Sequence, residues 1–159
     1  MPVMDGIKAT EQIRSIVPDG VNVPIVAVTA HDGKDDMGRS LDNGMNGVLQ
    51  KPIGVKQLKR VLNRFTGEGA GKAVLTKQNF MELATSKKPP PESTRVLVAE
   101  DNKMIQLVMK KLLAALKYTD VTMCYDGKAA VDAMSILPYD IIFMVKSLVS
   151  LSLFAGYDF

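Results

Sequence analysis

Three short apolar runs in this sequence end on side chains that can handle phosphate or a divalent cation. Thr29 closes VPIVAVTA (23–30), Lys51 closes NGVLQKP (46–52), and Glu100-Asp101 directly follow RVLVA (95–99). A fourth run, DIIFMV (140–145), ends on Val145, whose side chain has no polar atom. Carboxylate oxygens are hard ligands that suit Mg2+, while an ammonium and a hydroxyl hold phosphate oxygens. Glu100 and Asp101 are therefore candidate metal ligands, Asp101 the more direct one, and Thr29 and Lys51 are candidate phosphate-site residues. Each also has a plain structural use. The acidic pair suits a helix start, where the dipole favours negative charge. Lys51-Pro52 suits a strand end with a rigid turn, and Thr29 suits a loop where its hydroxyl satisfies backbone groups.

What would bring these side chains together is a sheet. Residues 23–30, 46–52, 95–99, 121–125 and 140–145 are short, apolar and rich in β-branched residues, as buried strands are. Between them run helical patterns. Gly6 to Ile16 reads as a helix with Ile7, Ile13 and Ile16 inward, Asp5 as its N-cap, and Pro18-Asp19-Gly20 as its stop. Gly33 to Asn43 is polar and weakly helical. Val55, Leu58, Leu62 and Phe65 mark an amphipathic helix over 54–65. Ile105, Val108, Met109, Leu112, Leu113 and Leu116 give the strongest helical stripe in the chain, and Asn102 is its N-cap. Gly127 to Leu137 reads as a further helix. Strands alternating with helices imply right-handed crossovers and a parallel α/β sheet covered on both faces, with the site outside the carboxyl ends of the strands.

Composition bounds the rest. The chain has 159 residues, 47% hydrophobic and 23% charged, which fits about one packed domain. Its formal charge is +3 and the charges interleave along the chain, which argues against a nucleic-acid partner. The lone Cys124 reads as core filler in a reducing, cytoplasmic setting, and the lone His31 as an exposed loop residue. The start lacks the pattern of a secretory signal. The apolar stretch 141–155 is interrupted by Lys146 and is shorter than the roughly 18 residues a membrane helix needs, so no membrane association is expected. Residues 66–93, with three alternating glycines and Pro89-Pro90-Pro91, read as a linker with room for a short helical turn at 79–84. Within it TGEGAGKA (66–73) imitates a phosphate-binding loop but lacks the first Gly, the final Ser or Thr, and a preceding strand. Residues 146–159 form an apolar, Ser-rich tail that fits no pattern.

These motifs together resemble the response regulator receiver domain of two-component phosphorelays. VLVAEDN (96–102) is similar to its first strand and acidic pair, and MPVMDG (1–6) to the segment just after its phospho-acceptor aspartate. VAVTA (26–30) carries its hydroxyl at Thr29, and GMNGVLQKPI (44–53) its lysine and proline at Lys51 and Pro52. The resemblance implies a five-stranded, doubly wound, flavodoxin-like sheet of strand order 2-1-3-4-5, Mg2+ at the acidic pair, and a cis peptide before Pro52. The order along the chain is inverted. Residues 1–65 look like the second half of a receiver, helix 3 to helix 5. Residues 94–145 look like the first half, strand 1 to strand 3. That is the layout of two tandem receivers in a hybrid sensor kinase, cut across. Each half alone would leave an apolar sheet edge exposed, so the halves are expected to close into one circularly permuted receiver, within one chain or between two chains as a domain-swapped homodimer.

Two departures bear on function. The family's acceptor aspartate would precede Met1 in the first segment and falls on Val145 in the second. The family's switch aromatic falls on Val48. Asp5 reads as a helix cap rather than a substitute acceptor. The expectation is a non-enzymatic pseudo-receiver that binds a histidine kinase, a phosphotransfer protein or a second receiver. The alternatives are an active phosphoacceptor in a longer parent protein and a non-functional product of a truncated or mis-spliced reading frame.

Overall fold

The β-branched runs form strands and the periodic segments form helices in the computed structural model, which describes residues 4–18, 22–30, 38, 40–66 and 90–145. In chain order these are α1 (Gly6–Ile16), β1 (Ile25–Thr29), β2 (Gly47–Gln50), α2 (Val55–Thr66), β3 (Val96–Ala99), α3 (Lys103–Ala115), β4 (Val121–Cys124), α4 (Gly127–Ile136) and β5 (Ile141–Val145). A 3-10 turn at Pro91–Ser93 leads into β3, and residues 40–42 are helical. The tail after Val145, most of the linker with the expected turn at 79–84 and the loop-like glycines, and His31 lie outside the described residues.

The five strands make one all-parallel sheet in the order β2-β1-β5-β3-β4. Counted from β3, that order is 2-1-3-4-5, as expected of a flavodoxin-like α/β fold. The central strand, β5, comes from the second segment of the chain and pairs with β1 of the first segment and with β3. Every residue of β1, β3 and β5 is buried, because these inner strands have helices on both faces. The edge strands β2 and β4 are only partly buried.

Alternate strand residues feed two cores. On one face α1 and α4 pack Ala9, Ile13, Ala130 and Val131 against Ala27, Leu97, Ile142 and Met144. On the other, α2 and α3 pack Leu58, Leu62, Met109 and Leu113 against Val28, Val98 and Phe143. The caps match expectation: Asp5 accepts from the Lys8 amide at 2.9 Å, and Asn102 accepts from the Met104 amide at 2.9 Å.

Three apolar residues assigned inward by periodicity lie out. Ile16 ends α1 and is exposed, while Val17, where the backbone turns extended, packs on the core in its place. Val55 opens α2 at the sheet margin and is exposed. Val108 on α3 is exposed because the buried stripe runs through Gln106, Met109 and Leu113 instead.

Two glycines are required by close approach. A Cβ on Gly6 would stand 2.4 Å from the Val145 carbonyl oxygen and 2.9 Å from Met144 Cγ. A Cβ on Gly127 would stand 2.7 Å from Ala9 Cβ and 2.8 Å from the Met4 carbonyl. The start of the described chain is thereby pressed against the end of β5, and the Gly127 amide donates to the Met4 carbonyl at 3.1 Å.

Candidate functional site

Parallel register sets the strand ends level. Thr29 is opposite Gln50, Val28 opposite Val145, and Ala99 opposite both Met144 and Cys124. The residues that end or directly follow these strands therefore share one edge: Thr29, Lys51, Glu100 and Val145. The Lys51 amide donates to the Thr29 carbonyl at 2.8 Å, and the Glu100 amide to the Cys124 carbonyl at 3.0 Å, which carries the pairing one step past the strands. The Lys51-Pro52 peptide is cis.

Side chains from both segments of the chain meet at this edge. Lys51 Nζ lies 3.0 Å from Glu100 Oε2. The Glu100 side chain is only 2% exposed, and its Oε1 accepts from the Asn102 amide at 3.1 Å. Oε2 is buried and makes no hydrogen bond of good angle, so its compensation from Lys51 is that of an ion pair. Burial pushes the Glu100 carboxyl up from its ordinary range, against the pull of the Asn102 amide and of Lys51. Asp101 is exposed beside it. Thr29 and Val145 are both buried.

Sequence patterning missed one contributor. Gln106 is buried on the inner stripe of α3, and its amide donates to the Glu100 carbonyl at 2.7 Å and the Cys124 carbonyl at 3.1 Å. It thus fastens the strand end that carries the acidic pair. The legible clue was its spacing from Met109 and Leu113, which puts an amide into an apolar stripe.

The chemistry of this edge is lopsided. Mg2+ needs near-octahedral oxygen coordination, commonly one or two carboxylates completed by water and phosphate oxygens. Of the two carboxylates among the described residues of this edge, Glu100 is engaged by Lys51, and the strand between β1 and β3 ends on Val145, whose side chain is apolar. Among the described residues no three His, Cys, Asp or Glu side chains are grouped to hold a metal. The described residues at this edge therefore do not fit a tight Mg2+ site, and Val145 at the end of β5 offers no nucleophilic oxygen. Cys124 is a buried free thiol.

A five-stranded parallel sheet with a hydroxyl, a lysine before a cis proline and an acidic pair on its carboxyl edge is the arrangement of a receiver-type α/β fold. Residues 1–63 match the response regulator receiver domain family. The chain is 35% identical over 86 residues to the hybrid signal transduction protein dokA of Dictyostelium discoideum, covering 54% of this chain and 5% of that protein. It is 42% identical over 69 residues to the sensor histidine kinase GacS of Pseudomonas protegens, covering 42% of this chain and 8% of that protein. It is 40% identical over 72 residues to the osmosensing histidine protein kinase SLN1 of Saccharomyces cerevisiae, covering 45% of this chain and 6% of that protein. The match thus spans less than a tenth of the length of each of these relatives. No solved structure matches significantly. Among the described residues no helix is long and apolar enough to cross a membrane.

Proposed function

We propose that this chain is a receiver-like module of a two-component phosphorelay that does not accept phosphate and acts through protein interaction. It is not an enzyme. Residues 1–65 supply the second half of the receiver and 94–145 the first, joined by 66–93, so the whole is a circularly permuted receiver with an atypical tail at 146–159. The seating of β5 between β1 and β3 supports this reading. So does the Lys51–Glu100 ion pair, which joins the two segments at the site.

One observation carries the loss of phosphate acceptance: Val145 ends β5 at the centre of the edge that holds Thr29, Lys51, Glu100 and Asp101. A carboxylate there would attack the phosphoryl group and complete the cation's coordination, and Val does neither. Glu100 and Asp101 consequently bind Mg2+ only weakly. The partners are a histidine kinase, a phosphotransfer protein or a second receiver, met in the cytoplasm.

The test is incubation of the chain with acetyl phosphate and Mg2+, followed by intact mass measurement. The expected result is an unchanged mass. A stoichiometric, acid-stable and base-labile phosphate would contradict it. The length of the relatives favours one second reading, in which a longer parent protein brings its own acceptor to this edge. That reading is supported if phosphate appears only in a longer product of the same gene.

A further inference from the structure

β2 and β4 are the outermost strands of the sheet, and each pairs on one side only. At β4 the direction of the free side can be read from the hydrogen bonds. The Val96 amide donates to the Asp120 carbonyl at 2.9 Å, and the Glu100 amide to the Cys124 carbonyl at 3.0 Å. Backbone groups alternate sides along a strand, so residues 120, 122 and 124 face β3. The N–H and C=O groups of Val121 and Met123 therefore face outward. Val121, Thr122 and Met123 are only half-buried, and Val121 and Met123 pack on the core shared by α2 and α3. Neither a charged residue nor a proline stands within β4 to guard this edge. An unguarded edge strand is a template for a further strand.

We propose that the segment after Val145 supplies that strand, residues 149–153 pairing antiparallel with β4. The chain leaves β5 at Val145, at the carboxyl edge and the centre of the sheet. The place beyond β4 is three strand spacings away, about 14 Å. Four or five extended residues span that distance, which brings Val149 or Ser150 to the open edge. A strand entering there from the carboxyl edge must run down the sheet, antiparallel to β4. In 149–153 Val149, Leu151 and Leu153 alternate with Ser150 and Ser152, the period of a strand covered on one face. The apolar set then extends the layer of Val121 and Met123, and the serines lie on the side of Thr122. β2 is as far from Val145 as β4, but the two routes differ in charge. The way to β2 passes Thr29 and Lys51, and the way to β4 passes Glu100 and the exposed Asp101. Lys146 favours the second. The proposal rests on the sheet edge and holds whether or not residue 145 accepts phosphate. It has one consequence for the candidate site: residues 146–148 cross the acidic pair, so a partner that reaches Asp101 must displace them.

The experiment is amide hydrogen exchange and nuclear Overhauser spectroscopy on the full chain, with Leu151→Pro alongside. The Val121 and Met123 amides of the parent are expected to exchange at least about tenfold more slowly than those of Leu151→Pro, since proline removes a ladder donor. The Thr122 and Cys124 amides, which face β3, should be protected alike in both. Close Hα–Hα contacts, the mark of antiparallel pairing, should join 149–153 to 121–123. Lys146→Glu, which sets a like charge beside Asp101, should speed exchange of the Val121 and Met123 amides several-fold. Rapid exchange of both amides in the parent would overturn the proposal, as would protection that Leu151→Pro leaves unchanged. Hα contacts from 67–89 would overturn it in favour of the linker. Protection that grows with protein concentration, together with a dimeric mass, would overturn it in favour of a second copy of the chain. Should Leu151→Pro fail to fold, the Hα contacts of the parent decide by themselves, and their absence refutes the pairing.

Discussion

Glu100 is pulled two ways, by burial toward the neutral acid and by Lys51 and the Asn102 amide toward the carboxylate. Burial dominates, so the folded state holds this proton more tightly than the unfolded chain does. Stability from this group is therefore fully present below its ordinary pKa of 4.5 and is lost as pH rises through the raised folded value. Glu100→Gln should flatten that part of the stability–pH curve and leave stability at neutral pH within about 1 kcal/mol of the parent, because a buried charge goes with its partner still able to reach water. Lys51→Met should cost about 2–3 kcal/mol at neutral pH, because it strands the carboxylate. Its loss should shrink toward acid pH as Glu100 protonates. Urea titrations at several pH values measure both, and an equal effect of the two substitutions would refute the ion-pair description. Thr29, Lys51 and Glu100 were legible from the sequence as the ends of apolar runs. The ion pair between two of them was not, since it depends on the register of strands far apart in the chain.

At the scale of elements, the helices and strands followed from periodicity and capping, and their edges moved by a residue or two. Asp5 and Asn102 were readable as caps because a side-chain oxygen at a helix start has one common use. Two of the three misplaced residues sit at helix ends, where periodicity has no information. Ile16 and Val55 are at helix ends, where the chain leaves the sheet, and Val108 lost its inward place to an amide that binds two carbonyls. The contact between α1 and β5 was also invisible, because Gly6 looks like any residue at a helix start. Gly6→Ala should destabilise the fold by about 1–3 kcal/mol, as its methyl would meet the Val145 carbonyl and force the helix away. The exposed Gly54, which has nothing within 4 Å of a built Cβ, is the control, and Gly54→Ala should change stability little. Chemical denaturation distinguishes them, and a neutral Gly6→Ala would mean that α1 does not press on the end of β5.

The whole molecule is a sheet that neither chain segment can complete. β5 of one segment lies between β1 of the other and its own β3, and the two cores each draw helices from both segments. The α/β class and the strand order were legible because each strand and helix of the pattern occurs once. The open edge of β4 was not, since which strand ends up outermost depends on pairing between distant parts of the chain. Assembly and the proposed loss of phosphate acceptance make a joint prediction at Val145. Val145→Asp would set a carboxylate beside Thr29 and Lys51 of one segment and Glu100 and Asp101 of the other. If the two segments close into one sheet, that single change supplies the carboxylate whose loss is proposed. The decisive measurement is intact mass after treatment with acetyl phosphate and Mg2+, on the parent and on Val145→Asp, each shown to be folded by circular dichroism. No phosphoryl adduct is expected on the parent, one on Val145→Asp, and none when Lys51→Ala is added to it. A phosphorylated parent, or a folded Val145→Asp protein that stays unmodified, would contradict it.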